Sequence, residues 1–152
     1  MGNVLVHFSH AKMGRNIATR CGWTESETKI FLIDEGRQWK LERGEITEQQ
    51  FHEEFCQATG RALDINKLRH AAADIFWLNE SIVPVLHQLK NAGMRLVLLS
   101  NTSVTHLKYI EQNFNILELM DDRVTSFEAR AIKPEDRIYE VALSKANCDP
   151  HE

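Results

Sequence analysis

Arg95-Leu-Val-Leu-Leu-Ser-Asn-Thr-Ser103 is the stretch whose reading decides the fold. Residues 96–99 form a continuous apolar run, the pattern of a strand covered on both faces, and Gly93 just upstream is a natural stop for a preceding helix. The run ends abruptly in the small hydroxyl and amide side chains of Ser100, Asn101, Thr102 and Ser103. Ser103 or Thr102 can cap a helix that continues over residues 104–113. A helix start leaves backbone N–H groups without intrahelical partners, and in open α/β sheets ligands bind at this carboxyl end of a strand. An ordinary capped loop between strand and helix fits the same residues, so the stretch acquires chemical meaning only with others.

Working outward, residues 82–90 read as a helix with Pro84 in its first turn, ended by Gly93. Downstream, Phe114, Ile116 and Leu119 are packing residues, and residues 124–127 are a short candidate strand. Asp121 and Asp122, before it, read as a solvated turn. Ile132-Lys133-Pro134 then precedes a helical repeat of Ile138, Tyr139, Ala142 and Leu143. Pro134 suits a first helical turn, and Lys133 stands where a fixed ammonium and free amides can meet one oxyanion. The order of strands and helices argues for a parallel sheet with right-handed crossovers.

Between the first strand and Ser81 the chain reads as helical, without a convincing strand. Residues 11–21 end at Gly22, and Thr24 or Ser26 can cap a helix through Lys29, Ile30, Ile33 and Asp34. Thr47-Glu-Gln-Gln50 has capping-box form, followed by an apolar face of Phe51, Phe55 and Ala58 that Gly60 terminates. Asp64 caps a further helix carrying Ile65, Leu68, Ala72, Ile75 and Phe76. A bundle of about four helices is the expectation, with Trp23, Trp39 and Trp77 packed as core residues.

Composition narrows the partners. With 152 residues, 43% hydrophobic and 26% charged, the chain matches one globular domain and carries no disorder signature. A net charge of −4 with scattered Lys and Arg gives no basic footprint for nucleic acid. No stretch reaches the apolar length of a membrane helix, and no signal peptide is evident, which makes a cytoplasmic location the expectation. Met1-Gly2 fails as a myristoylation signal because Val6 holds the position that wants Ser or Thr. Three separated cysteines, Cys21, Cys56 and Cys148, read as reduced packing residues, and the seven histidines include no zinc-helix pair. His7 and His10 read as members of a polar loop, with a place facing an anion pocket as the alternative.

Three of these features in this order resemble the haloacid dehalogenase-like superfamily, in particular its phosphatase-like branch with a helical cap inserted after the first strand. Leu98-Leu99-Ser100-Asn101-Thr102 is similar to the second motif of that family, whose Ser or Thr binds the transferring phosphoryl group. Lys133-Pro134, followed by Arg137-Ile138-Tyr139, is similar to the third motif, whose Lys steadies nucleophile and phosphate. Glu42-Arg43-Gly44-Glu45-Ile46-Thr47, followed by Phe51, is similar to the cap signature. The resemblance covers nearly the whole chain. It implies an α/β fold: a partial Rossmann-like parallel core with an inserted helical-bundle cap, divided into a first core strand and loop at 1–10, a cap at 11–80 and an incomplete α/β core at 81–152. By the same resemblance, Lys133 is the catalytic lysine, Ser100, Asn101, Gly2 and Asn3 bind phosphate, and magnesium is the cofactor.

Met1-Gly2-Asn3-Val4-Leu5 is similar to the first motif, in which an aspartate nucleophile precedes one arbitrary residue and then Gly-Asn-Val-Leu. By that alignment Met1 is the arbitrary residue and the nucleophile would stand immediately before it. The acidic pair of the fourth motif, which binds magnesium, would follow the last helix, and residues 147–152 do not supply it. The expectation is a chain shortened at both ends relative to the family. Phosphoryl transfer to aspartate needs an in-line carboxylate and a cation, so this chain is expected to bind phosphate and not to turn it over. Three readings follow. One is a magnesium-dependent phosphatase of a small phosphorylated metabolite whose nucleophile and metal acids lie outside these residues. Another is an inactive relative that binds a phosphorylated ligand or a partner protein, with a homodimer possible through exposed sheet edges. The last is an unrelated helical interaction module. Dehalogenation stays open, because the second and third motifs serve both chemistries.

Overall fold

Polar side chains set ahead of apolar repeats start the helices of this chain, whose computed structural model describes residues 1–149 and 151. Ser9 accepts from the N–H of Lys12 at 3.1 Å and starts α1 (His10–Cys21), which Gly22 ends at φ 75°. Thr24 and Glu27 form a capping box for α2 (Glu25–Lys29), which runs on into a π-helical turn, Ile30–Asp34. After α3 (Arg37–Glu42), Thr47 and Gln50 form a second capping box for α4 (Glu48–Thr59), and Asp64 caps α5 (Ile65–Ala73). The expected helical bundle is therefore present, with Thr24 as the cap of its second helix.

These helices close on one apolar cluster that includes Met13, Ile17, Phe31, Phe51, Phe55, Leu68 and Ile75. Phe55 is its centre: fully buried, its ring lies 5.5 Å from Trp23 and 5.6 Å from Phe31, the latter edge to face. Trp23 packs against this cluster as expected, but Trp39 and Trp77 do not, remaining 47% and 50% exposed. Trp39 lies on the outer side of a six-residue helix whose buried positions are Gln38 and Leu41, and Trp77 alternates outward on a strand.

That strand was not legible in the sequence. β1 (Val6–Phe8) pairs antiparallel with β2 (Phe76–Leu78), Val6 opposite Leu78 and Phe8 opposite Phe76. Leu68, Ala72, Ile75 and Phe76 continue one helical repeat, but the helix stops at Ala73. Asp74 leaves helical geometry there, and its carboxylate takes Lys12 at 3.0 Å and the Tyr109 hydroxyl at 3.1 Å. Three residues are too few for alternation to announce a strand.

The rest alternates as expected: α6 (Val83–Asn91), β3 (Val97–Ser100), α7 (Val104–Asn113), β4 (Asp122–Thr125), a one-turn α8 (Ser126–Ala129) and α9 (Asp136–Ala146). β3 and β4 are parallel, with Ser100 opposite Thr125, which makes this the small parallel sheet of an α/β fold. Asp121 lies in an exposed bend, in keeping with a solvated turn, whereas Asp122 opens β4. Asp121 accepts the N–H of Leu96 at 2.7 Å and Nζ of Lys90 at 2.6 Å, and Asp122 begins β4 beside Lys145 at 3.4 Å. Pro134 likewise stands outside the helix it was expected to start, since α9 begins at Asp136 and the Lys133–Pro134 peptide is cis. Cys21 is buried, Cys56 partly so and Cys148 exposed, all three as free thiols. No described helix is long and apolar enough to cross a membrane.

Truncating Phe55 removes the ring around which Trp23, Phe31 and Phe51 pack. Phe55→Ala is expected to destabilise the chain by about 3–5 kcal/mol in a denaturant titration, with loss of near-ultraviolet dichroism from Trp23. A loss below about 1 kcal/mol would show that the helical layer can close over the gap.

Candidate active site

The site forms where the loops that follow β3, β4 and α8 meet. Ser126, the residue after β4, clamps the first two: its Oγ accepts the N–H of Thr102 at 3.0 Å and donates to the carbonyl of Thr102 at 3.1 Å. Asn101 ties in the third. Its Oδ1 accepts the N–H of Lys133 at 2.8 Å, and its Nδ2 donates to the carbonyl of Lys133 at 3.2 Å. The Lys133 ammonium turns back under β3 and donates to the carbonyl of Leu99 at 3.2 Å. Two segments more than thirty residues apart are thus joined by one amide side chain that mimics a strand partner.

Residue 1 faces the same point. Met1 is buried and lines the pocket there. Gly2 follows, and a Cβ there would lie 2.7 Å from Cε1 of Phe8, so the chain can pass over that ring only because the position carries no side chain. Gly2, Asn101 and Thr102 line one small pocket, with a cavity volume of about 50 Å³, together with His10, Glu42 and His106 and the apolar walls of Phe8, Ile75 and Phe76.

The residues singled out in the sequence fall into three groups. Gly2 and Asn101 line the pocket; Ser100 and Lys133 lie immediately behind it, Ser100 1% exposed with its Oγ donating to the carbonyl of Asn101 at 3.1 Å. Asn3 points away into an exposed turn at φ 57°, its N–H donating to the carbonyl of Val6 at 2.7 Å. The start of α7 is less open than its sequence implies. Ser103 takes the N–H of His106, and the Glu48 carboxylate, from the helical layer, takes the N–H and hydroxyl of Thr105 at 3.1 and 2.7 Å.

Sequence reasoning did not single out Ser126, Glu42 or His106 as site residues; for His10, the first residue of α1, the pocket-facing alternative holds rather than the polar loop. Ser126 could have been found by analogy, since it follows β4 as Asn101 follows β3. His106 is fully enclosed and pushed down to about 4, chiefly by burial; its Nε2 lies 3.2 Å from the carbonyl of Ala72, so Nε2 carries the proton of a neutral ring.

The sequence model of the haloacid dehalogenase-like hydrolase family matches residues 7–152. The chain belongs to that family. Solved structures agree on the fold. A HAD family enzyme from Bacteroides thetaiotaomicron aligns with a TM-score of 0.85 at 22% identity, over 99% of this chain and 77% of that one. The wild-type form of that enzyme in complex with magnesium and inorganic phosphate aligns with a TM-score of 0.84 at 23% identity, over 99% and 77% of the two chains. A HAD phosphatase from Thermococcus onnurineus aligns with a TM-score of 0.64 at 14% identity, over 100% and 71%. Against the magnesium that the family implies, the side chains present do not fit: among the described residues no three His, Cys, Asp or Glu groups converge in a way that could hold a metal ion.

Two expectations follow. Asn101→Ala leaves the N–H and carbonyl of Lys133 unpartnered and is expected to destabilise the chain by about 2 kcal/mol, at about 1 kcal/mol per hydrogen bond, measured by urea unfolding. His106 contributes a pH dependence. Its folded value of about 4 lies below its ordinary 6.5, so the unfolded chain binds the proton first, and stability falls as pH drops from 6.5 to 4. The full loss is about 3 kcal/mol. His106→Gln should flatten that part of the curve, and equal slopes in the two proteins would contradict a neutral buried ring.

Proposed function

We propose that this chain recognises the phosphate group of a small phosphomonoester, as the phosphate-binding framework of a HAD-type phosphohydrolase. The observation that carries this reading is the pairing of Asn101 with the main chain of Lys133. It brings two residues with phosphate-binding chemistry, from the motifs after β3 and before α9, to one end of a parallel strand beneath a covered pocket. Asn101 presents its amide group to the pocket, Lys133 sets a cation immediately behind it, and a ligand anion would draw the Ser100 hydroxyl and the Lys133 ammonium from their present bonds to the Asn101 and Leu99 carbonyls. Asn3 belongs to the turn that shapes this approach.

Family chemistry proceeds through an aspartyl phosphate with magnesium, and this part of the reading rests on the family alone. Among the described residues that line the pocket there is no aspartate, and the carboxylate present, Glu42, stands among the helices. For residues 1–152 as they stand, the reading is binding without turnover, and a phosphatase role belongs to a protein in which an in-line carboxylate and metal acids complete the site.

Titration of the ¹⁵N-labelled chain with inorganic phosphate tests the proposal. Shifts of the Asn101, Thr102 and Lys133 amides are expected, with affinity about tenfold or more weaker in Lys133→Ala, as for the loss of a charged hydrogen-bond donor. Magnesium should change the affinity less than twofold, and p-nitrophenyl phosphate should release no p-nitrophenol above background. Phosphate shifts that map elsewhere, or that survive Lys133→Ala unchanged, would sink this reading.

A further inference from the structure

The pocket above the phosphate position holds an ionisable group that the phosphate-binding reading does not use. Glu42 ends α3 and lines the pocket opposite Gly2 and Asn101. Its Oε1 accepts from Nε2 of Gln38 at 3.0 Å, and Gln38 is itself 5% exposed, so this oxygen is fixed from behind. That is the one hydrogen bond of the carboxylate among the described residues, and it leaves Oε2 without a protein donor. Among the described residues no side-chain cation pairs with it: the adjacent Arg43 turns away to pair with Glu135. Burial accordingly raises the Glu42 carboxyl above its ordinary value, with the Gln38 bond acting in the opposite direction.

A partly buried carboxylate with an unfilled acceptor is costly unless donors reach it. None of the other lining residues fills it among the described residues: Phe8, Ile75 and Phe76 are apolar, the Nε2 proton of neutral His106 goes to Ala72, and Met1, His10, Asn101 and Thr102 share the pocket without a hydrogen bond to Glu42. Oε2 is therefore open to a hydroxyl that enters the pocket.

We propose that Glu42 is a specificity residue that selects the alcohol part of the phosphomonoester: it accepts hydrogen bonds from hydroxyl groups on a neutral leaving group and repels one that carries a second anion. This rests on the phosphate site described above. With phosphate held at Asn101 and Lys133, the alcohol part projects toward α3, where the apolar wall takes its carbon skeleton and Glu42 its hydroxyls. The substrate class is a phosphate ester of a small, uncharged polyol. Phosphorylated acids and bisphosphates meet a carboxylate at the same position and are disfavoured.

Affinities of the 152-residue chain for inorganic phosphate, glycerol 3-phosphate, n-propyl phosphate and 3-phosphoglycerate, read by amide shifts, separate the terms. Glycerol 3-phosphate is expected to bind about tenfold tighter than propyl phosphate, the range of a hydrogen bond to a charged acceptor. Glu42→Gln should reduce that preference to about threefold and Glu42→Met should abolish it, while inorganic phosphate binds within twofold of its original affinity in both. 3-Phosphoglycerate should bind the original chain worst and gain at least fivefold in Glu42→Gln. A preference that survives Glu42→Met, or a parallel loss of inorganic phosphate and glycerol 3-phosphate, overturns the role of Glu42 and leaves the phosphate site standing. Failure of inorganic phosphate to bind the original chain overturns both.

Discussion

The reciprocal pairing of the Asn101 amide with the main chain of Lys133 is the constraint on which the candidate site depends. Short parallel strands present their last residues to a crevice but do not fix the loops beyond them. Here the sheet contributes two described strands of four residues each, and the loop before α9 has no ladder to hold it. Asn101 supplies what a third strand would, with an acceptor and a donor in the geometry of a backbone neighbour. Lys133 completes the arrangement by returning its ammonium to Leu99, inside β3. The charge is held beneath the strand end, and Ser126 holds the adjoining loop by the same logic of one side chain serving as donor and acceptor.

The helical layer is fastened over this point by the segment that carries the cap signature. Gly44, at φ 66°, passes so close to the carbonyl of Phe127 that a Cβ would lie 2.6 Å from that oxygen, a contact that backbone cannot relieve by rotamer change. On one side of it Arg43 pairs with Glu135, two residues beyond Lys133. On the other, Glu48 takes the N–H and hydroxyl of Thr105 at the start of α7. Three contacts within six residues, 43–48, thus reach the first turn of α7, α8 and the residue before α9. The position of Glu42 over the pocket follows from these contacts, since α3 runs directly into them.

How much of this was legible in the sequence depended on the length over which each signal acts. The capping boxes at Thr24 and Thr47, the caps Asp64 and Ser103 and the stops Gly22 and Gly60 act within four residues, and each appears where the chain announces it. The run at residues 96–99 was legible because a strand covered on both faces is apolar throughout. β2 was not, because Phe76 continues the phase of α5 and only Asp74, engaged by Lys12 and Tyr109 from other elements, shows where the helix ends. Pro134 was misread for a related reason: its suitability for a first turn is local, while the path of its loop is set by Asn101, thirty-three residues earlier. The likeness of the second, third and cap motifs to the family located the site, but the partners of each residue within it are contacts across the fold that no spacing encodes.

The two layers bring opposite chemistry to the pocket between them. On one side stand the Asn101 amide and the Thr102 loop, with the Lys133 ammonium behind them. The other side carries acceptors, since Glu42 offers an oxygen that no protein group fills among the described residues and His106 is held neutral by its burial. A bare anion is complementary to the first side alone and an uncharged polyol to the second alone, so in the reading proposed above an ester that joins the two is the molecule that fits both. The helical layer is fastened at Arg43, Gly44 and Glu48 rather than at Glu42. Those contacts consume charges beside the pocket within the protein, and among the described residues they leave Glu42 as the lining carboxylate without an ion pair.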